Sequence, residues 1–489
     1  MPHDYDVVIL GGAFSGASTA ILLRRDAPQL RVLIVEKAEA FDEKVGEATT
    51  EMSAMFLTRR LAIWQHLERE HLPKEGLRYW FANDRVTGHA NASESGAFQR
   101  STVPSFQLRR DRLDEHLLAT AVAEGAEMLR PARVRDVTVG DFDHHVTVEV
   151  AGESRTISCR WLVDATGRTS LIGRKLDLIE KNEEHPTAAI WCRWRNVRHI
   201  DDLAVRLGIA GGNVGSRRLG TNHYTGRGFW IWVIPLGNGE TSIGVVFDKR
   251  LVELDQSRNK PEDFVAFLRA IPSLRELLEG AEPRLEDFRF YGSLAYATKQ
   301  YMGSGWALVG DAAVFLDPYY SPGLDHAAFS VEATAEIIRK ETSGEDVVAR
   351  IKEHNETFLR SYWRFFHATY KDKYYYMGEG DLLTASVLIE TAQYYLFVVI
   401  PAYRVMKKFH WMPVLGPKPA FLSYHLMRLC TRRFKTIAEK RRAAGTAGEL
   451  NDGRRTVLFF DLGFAPVRML FRGLKIWMKA ELRLLTTRG

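Results

Sequence analysis

A chain of 489 residues exceeds the size at which one hydrophobic core stops growing, so two or three domains are expected. Apolar content of 46% with 26% charged residues excludes a disordered chain and a polytopic membrane protein, while three widely spaced cysteines (159, 192 and 430) fit free thiols in a reducing cytoplasm. Net charge is +6 but uneven: Pro401 to Gly489 holds 19 Lys and Arg against 5 Asp and Glu, which points to an acidic carrier or a membrane surface at that end.

The chain enters a strand at once, YDVVIL, with no basic leader or cleavage site, so no signal peptide is expected. Residues 5 to 37 read as strand, glycine turn, helix, strand. The turn is GGAFSG, with Gly11, Gly12 and Gly16 in place and Ala13 where the full fingerprint has a third glycine. The second strand ends at Glu36, at the spacing where an acidic side chain accepts hydrogen bonds from a ribose hydroxyl.

Residues 50 to 75 look helical and end in LPKEGLRYWF, where Lys74 reads as a solvated loop lysine by default. Gln107-Leu-Arg-Arg110 leads into a helix over 111 to 126, followed by the strands VTVEV and RTISCRWLVDATG. From Trp191 to Asp248 the chain is rich in strands. In FWIWVIP, alternation puts Trp230 and Trp232 on one face and Ile231 and Val233 on the other, as any two-sided sheet accepts. Just before it, TNHYTGRG presents Asn222 and His223; the histidine is either a general base or a structural side chain bonded to backbone.

In WALVGDAAVFLDP a strand ends in Gly-Asp ahead of an expected helix. Asp311 there either caps the helix or binds a ribityl hydroxyl. Beyond Gly310 the pattern turns helical. The longest unbroken apolar stretch, Tyr394 to Tyr403, falls well short of the ~20 residues of a spanning helix. The tail from Ala465 to Leu485 is a basic amphipathic helix, with Arg468, Arg472, Lys475, Lys479 and Arg483 opposite Val467, Leu470, Leu474, Trp477 and Met478. Either its apolar face docks on the body, or it serves a membrane or an acidic carrier.

The order strand-GG-helix, QxxR, DATG, GDAA resembles the FAD-dependent enzymes of the p-hydroxybenzoate hydroxylase fold, and within them the flavin-dependent halogenases, over residues 5 to 340. The implied fold class is α/β: a Rossmann-like FAD-binding domain of the p-hydroxybenzoate hydroxylase/glutathione reductase type (1–75, 105–180, 290–340), a β-rich substrate domain (76–104, 181–289) and a helical basic C-terminal region (341–489). The resemblance assigns Gly11, Gly12, Ala13, Gly16, Glu36, Arg110 and Asp311 to FAD, with Glu47, Ala48 and Thr49 of VGEAT in a strap near the flavin. FWIWVIP becomes the WxWxIP signature, in which Trp230, Trp232, Ile234 and Pro235 separate substrate from flavin.

In such halogenases FADH2 supplied by a separate flavin reductase reacts with oxygen, halide is oxidised to hypohalous acid, and a lysine beside the substrate receives it. The match is Lys74. Two departures stand out: Pro322 in DPYYSPG cannot donate an N–H to halide, leaving Gly323, and Tyr320 replaces the glutamate of tryptophan halogenases. The expected substrate is an electron-rich phenol, a pyrrole or a carrier-bound acyl aromatic. The alternatives are a monooxygenase or dehydrogenase on the same fold using His223, and a flavin-binding protein docking a membrane or carrier. Asp325 and His326 raise the same ambiguity as His223. No metal site and no nucleic-acid partner are expected, and the location is cytoplasmic with possible peripheral membrane association.

Overall fold

In a computed structural model of the chain, the described residues are 3–82, 85–97, 101–209, 216–254, 260–404, 413–458 and 461–486. Part of the basic C-terminal segment, 405–412, lies outside them. Two large sheets organise the chain. The first, of eight strands, has parallel Tyr5–Leu10 at its heart, flanked by Val32–Val35 and Glu153–Asp164, with Trp306–Leu308 parallel beyond the latter. Its central strands read VVIL and VLIV because both faces are covered: Val7, Ile9, Val32 and Ile34 share a core with helix residues such as Ala17, Ile21 and Leu117, and Val8, Leu10, Leu33 and Val35 share one with the strand residues Val137, Val146 and Val148, so every one of these side chains is buried. The helix Phe14–Asp26 crosses from the first strand to the second, the right-handed unit expected of parallel pairing.

The second sheet, of nine strands, carries the expected FWIWVIP strand at its centre. Phe229–Pro235 pairs antiparallel with both Thr221–Gly226 and Thr241–Asp248. Alternation places Trp230 and Trp232 in the core shared with the first sheet and the C-terminal helices, and Ile231 and Val233 in a separate core with Phe264 and Leu274.

Three features differ from the sequence reading. The C-terminal region, expected to be helical, contributes a strand, Arg455–Leu458, parallel to Glu94–Ala97 at the edge of the second sheet. GDAA does not open a helix: Gly310–Ala312 is a single 3-10 turn, and the long helix begins later, at Pro322–Thr342. The helix Gly380–Tyr394 continues through a π-helical turn to Arg404, so one segment among the described residues is long and apolar enough to span a bilayer. Of its most apolar 18-residue stretch, 78% is buried inside the protein, as in a core helix.

The tail forms one helix, Ala465–Thr486, but its docking face is rotated from the one expected. Buried contact runs through Met469, Gly473 and Ala480, while Leu470, Leu474 and Trp477 flank it and Met478 faces solvent. Small residues set this face, because a Cβ on Gly473 would lie 2.7 Å from Ile389 and 3.0 Å from the Ala385 carbonyl. Gly473→Leu is therefore expected to destabilise the fold by about 1–3 kcal/mol through overpacking, read as a lowered denaturation midpoint and faster proteolytic release of the tail.

Candidate functional site

The Gly11 turn is shaped by steric necessity. Gly11 has φ +96°, and a Cβ on Gly16 would sit 1.8 Å from the Gly11 carbonyl oxygen, so the helix start and the first strand touch backbone to backbone. Ala13 occupies the N-cap position with extended backbone and no side-chain cap. Glu36 is buried at the end of the second strand, and its two carboxylate oxygens accept from the Gly12 N–H (2.7 Å) and the Ala38 N–H (2.8 Å). The acid thus holds the loop in shape.

Arg110 opens the helix Arg110–Ala123 and forms paired bonds of 3.1 Å to Asp114, while its Nη1 donates to the Val45 carbonyl at 3.3 Å. The buried Nε of Arg110 and the buried Oε1 of Gln107 have no hydrogen-bond partner among the described residues. The Asp311 carboxylate makes no hydrogen bond among the described residues, and burial raises its pKa against the pull of Arg168, Arg110 and Lys44. Unsatisfied polar groups on both sides of a glycine cradle fit a flavin dinucleotide, since each would otherwise carry a desolvation cost.

The segment Val45–Thr49 forms a strap tied from both sides. Glu47 is buried in an ion pair of 2.7 Å with Arg193, which Asp287 also holds. Ala48 bridges to Gln107, and Thr49 exchanges bonds with Phe106: its N–H donates to the Phe106 carbonyl (2.9 Å) and its Oγ1 accepts the Phe106 N–H (2.7 Å). Lys74 meets this strap. It is not a solvated loop residue but the last residue of the strand Leu72–Lys74, 3% exposed, with its Nζ donating to the Thr49 carbonyl at 2.7 Å. Burial lowers its pKa to about 8, opposed by the charges of Glu51 and Asp325.

Lys74 faces a cavity of about 430 Å³ between the strap, the start of the Pro322 helix and the C-terminal helices. Three carboxylates line it, each paired with a tyrosine; the sequence reading singled out Tyr320 and Asp325 but not their partners Glu390 and Tyr394, nor the pair Glu51 and Tyr395. Tyr395 donates to Glu51 at 2.7 Å, Tyr394 to Asp325 at 3.1 Å, and Tyr320 to Glu390 at 2.5 Å. Behind Glu390, the fully buried Lys373 donates to it at 2.7 Å and to Ser386 at 3.0 Å. Burial raises the pKa of Glu51 and Asp325 and lowers that of Lys373. The sites thus span residues 51 to 395 in sequence, and only folding brings them together.

The aromatic wall borders this region. Trp230 donates to Tyr374 at 3.0 Å, and Tyr374 to Asp317 at 2.7 Å, while Trp232 donates to Ser242 at 3.0 Å and sits over Gly244, where a Cβ would meet its ring at 2.3 Å. Ile234 is buried in the same core, and Pro235 ends the strand opposite Thr241. His223, expected as a candidate general base, does not reach the cavity. It is enclosed by Tyr79 (5.0 Å), Trp230 (5.4 Å) and Tyr319 (5.6 Å), and burial lowers its pKa to about 3, so it stays neutral. His326 does line the cavity, also with burial lowering its pKa, to about 4.

Pro322 occupies the first turn of its helix, a position where a backbone N–H lacks an intrahelical partner in any case. The chain reaches it through Ser321 at φ +55°, and a Cβ on Gly323 would meet nothing within 4 Å, so the space beside that residue is open.

A family profile described as an FAD binding domain matches residues 4–364. The chain is 28% identical over 450 residues to the flavin-dependent halogenase chlA of Dictyostelium discoideum, covering 85% of this chain and 73% of that protein. It is 24% identical over 384 residues to the 1H-pyrrole-2-carbonyl-[peptidyl-carrier protein] chlorinase of Pseudomonas fluorescens, covering 73% and 81% respectively. The crystal structure of halogenase PltM superposes with a TM-score of 0.76 at 19% identity, across 97% of this chain and 96% of that one, which extends the likeness in fold to the C-terminal helices. The chain belongs to the FAD binding domain family and is an FAD-dependent oxidoreductase related to the flavin-dependent halogenases.

Proposed function

We propose that this protein halogenates a free phenol bearing two or more hydroxyl groups, in the cavity beside Lys74. The observation that carries this reading is the set of three tyrosine-paired carboxylates around one buried lysine. A phenol hydroxyl both donates and accepts, and a polyphenol can satisfy more than one such pair at once, whereas a pyrrole offers a single N–H. PltM has been crystallised with phloroglucinol and FAD, a three-hydroxyl aromatic in a protein of the same fold.

Bound reduced FAD, delivered by a separate flavin reductase, supplies with oxygen the two-electron oxidant that turns halide into hypohalous acid. Gly11, Gly12, Gly16, Glu36, Arg110 and Asp311 hold the cofactor, and the Val45–Thr49 strap lies near its ring. Halide rests at the start of the Pro322 helix, with the Gly323 N–H as donor and the helix N-terminus favouring an anion. Trp230, Trp232, Ile234 and Pro235 keep the organic substrate from that chamber.

Lys74 acts as the receiving group. Its ammonium donates a hydrogen bond to the oxygen of hypohalous acid and draws electron density from the halogen, which the ring carbon ortho or para to a hydroxyl then attacks. The oxygen leaves as water with a proton from the Lys74 ammonium, and the ring proton lost to restore aromaticity returns to the Lys74 amine. Glu390, through Tyr320, takes up the phenol proton as the ring becomes electron-rich, which supplies what the glutamate of tryptophan halogenases would supply from position 320. Glu390→Gln is expected to lower kcat by about 10²-fold with a smaller change in KM, measured with bromide and a resorcinol-type substrate.

The pH profile tests the lysine. Activity through an ammonium falls as pH rises through the Lys74 pKa of about 8. Glu51 raises that pKa, so Glu51→Gln should move the alkaline limb of kcat/KM to lower pH; a limb that stays in place would detach it from Lys74. The substrate class is tested by offering free polyphenols and carrier-tethered pyrroles in parallel. Product from the free phenol alone is expected, and product from the tethered pyrrole alone would overturn the assignment.

A further inference from the structure

We infer that the C-terminal helix lies on an anionic membrane surface, with the mouth of the cavity close to that surface. The helix docks through Met469, Gly473 and Ala480, and the face turned away from the protein is divided lengthwise. Phe471 and Met478 along one half, and Phe464 immediately before the helix, follow at seven-residue steps and are 67%, 59% and 81% exposed. Arg468, Arg472, Lys475 and Lys479 are exposed along the other. Folding accounts for the inner face only: no core contact explains three large apolar side chains aligned in water over two heptads.

The charge pattern names the occupant. Aromatic and apolar side chains beside a lysine and arginine stripe on one helix match an interface in which the former enter the headgroup boundary and the latter meet lipid phosphates. The lone acid on the second half of the helix, Glu481, is committed to Arg433 at 2.6 Å. An acidic carrier protein would pair with the basic stripe but leave the apolar one uncovered.

The cavity rim belongs to the same helical layer. Phe397 and Leu422 line the cavity and are 63% and 79% exposed. Phe397 lies in the turn Tyr395–Val399, which packs against the C-terminal helix, and Leu422 lies on the helix Phe421–Ala443, which meets it through Arg433–Glu481 and the Phe434–Trp477 ring contact at 6.2 Å. Of the phenols proposed above, one with an alkyl chain that partitions into the bilayer would enter there. That last step alone rests on the function proposed above, since vesicle binding is measured without turnover.

The test is sedimentation of the full-length FAD-loaded protein with phosphatidylcholine vesicles, with and without a quarter phosphatidylglycerol. Binding is expected to the anionic vesicles and to weaken at high salt. Arg472→Gln/Lys475→Gln/Lys479→Gln should weaken it about a hundredfold, and Phe471→Asp/Met478→Asp by at least about tenfold, with FAD content unchanged as the folding control. Absence of binding by the parent protein, or binding unaltered in both variants, would overturn the proposal. Capture by an acidic carrier protein without vesicle binding would overturn it in favour of a protein partner.

Discussion

Lys74→Ala is expected to lower halogen transfer to the ring by about 10²–10⁴-fold while oxygen-dependent oxidation of reduced FAD continues. Among the described residues that line the cavity, Lys74 carries the one ammonium group, and its Nζ is fixed by the Thr49 carbonyl at 2.7 Å. Lys373 cannot replace it, because it lies behind Glu390 and Tyr320 with its donors committed to Glu390, Ser386 and Tyr320. The dinucleotide cradle is built from other residues, so flavin binding should survive. Lys74→Met, which keeps most of the side-chain volume, separates chemistry from packing: it should fail at halogenation as badly as alanine does. Parallel loss of FAD content in both variants would instead make Lys74 a structural residue of the strap.

Glu94→Ala should cost about 3–5 kcal/mol of stability. Glu94 is buried in the second sheet and holds three arginines: Arg78 in an ion pair, Arg217 through two bonds of 3.0 Å, and Arg455 at 3.4 Å. Arg78 and Arg217 are themselves buried, so removing the carboxylate leaves like charges facing one another in a low-dielectric core. The effect should reach the C-terminal region, because Arg455 belongs to the strand that pairs with Glu94–Ala97. Arg455→Met, at a partly exposed position, should cost far less. Denaturant titration of the two variants measures the difference, and equal losses would remove Glu94 as the keystone.

Local patterns made the frame legible. Strand, glycine turn and helix over residues 5 to 37, and the alternation in FWIWVIP, are dictated by contacts within a few residues, and the structure forms both where they were expected. The cavity beside Lys74 is a different matter. Tyr320 and Glu390 are 70 residues apart, and Tyr395 and Glu51 are 344 apart, so no window of sequence contains either pair. Lys74 was singled out by resemblance while its surroundings suggested water, because the burial comes from the strap and the C-terminal helices packing over it.

The tail shows a subtler failure. Apolarity alone put Met478 on the inner face, but close packing chose Gly473 and Ala480, whose small size lets two helices approach. Similarly, Gly-Asp at 310–311 was read as a helix start, whereas the chain inserts a turn and defers the helix to Pro322, whose fixed φ suits a first turn.

Halogen incorporation itself tests the central claim most directly. Full-length protein, reduced FAD, oxygen, bromide and a resorcinol-type phenol should yield a product whose mass spectrum shows the paired bromine isotope peaks, absent without bromide and lost in Lys74→Ala. A hydroxylated, bromine-free product formed equally with and without bromide would contradict it and make the protein a monooxygenase.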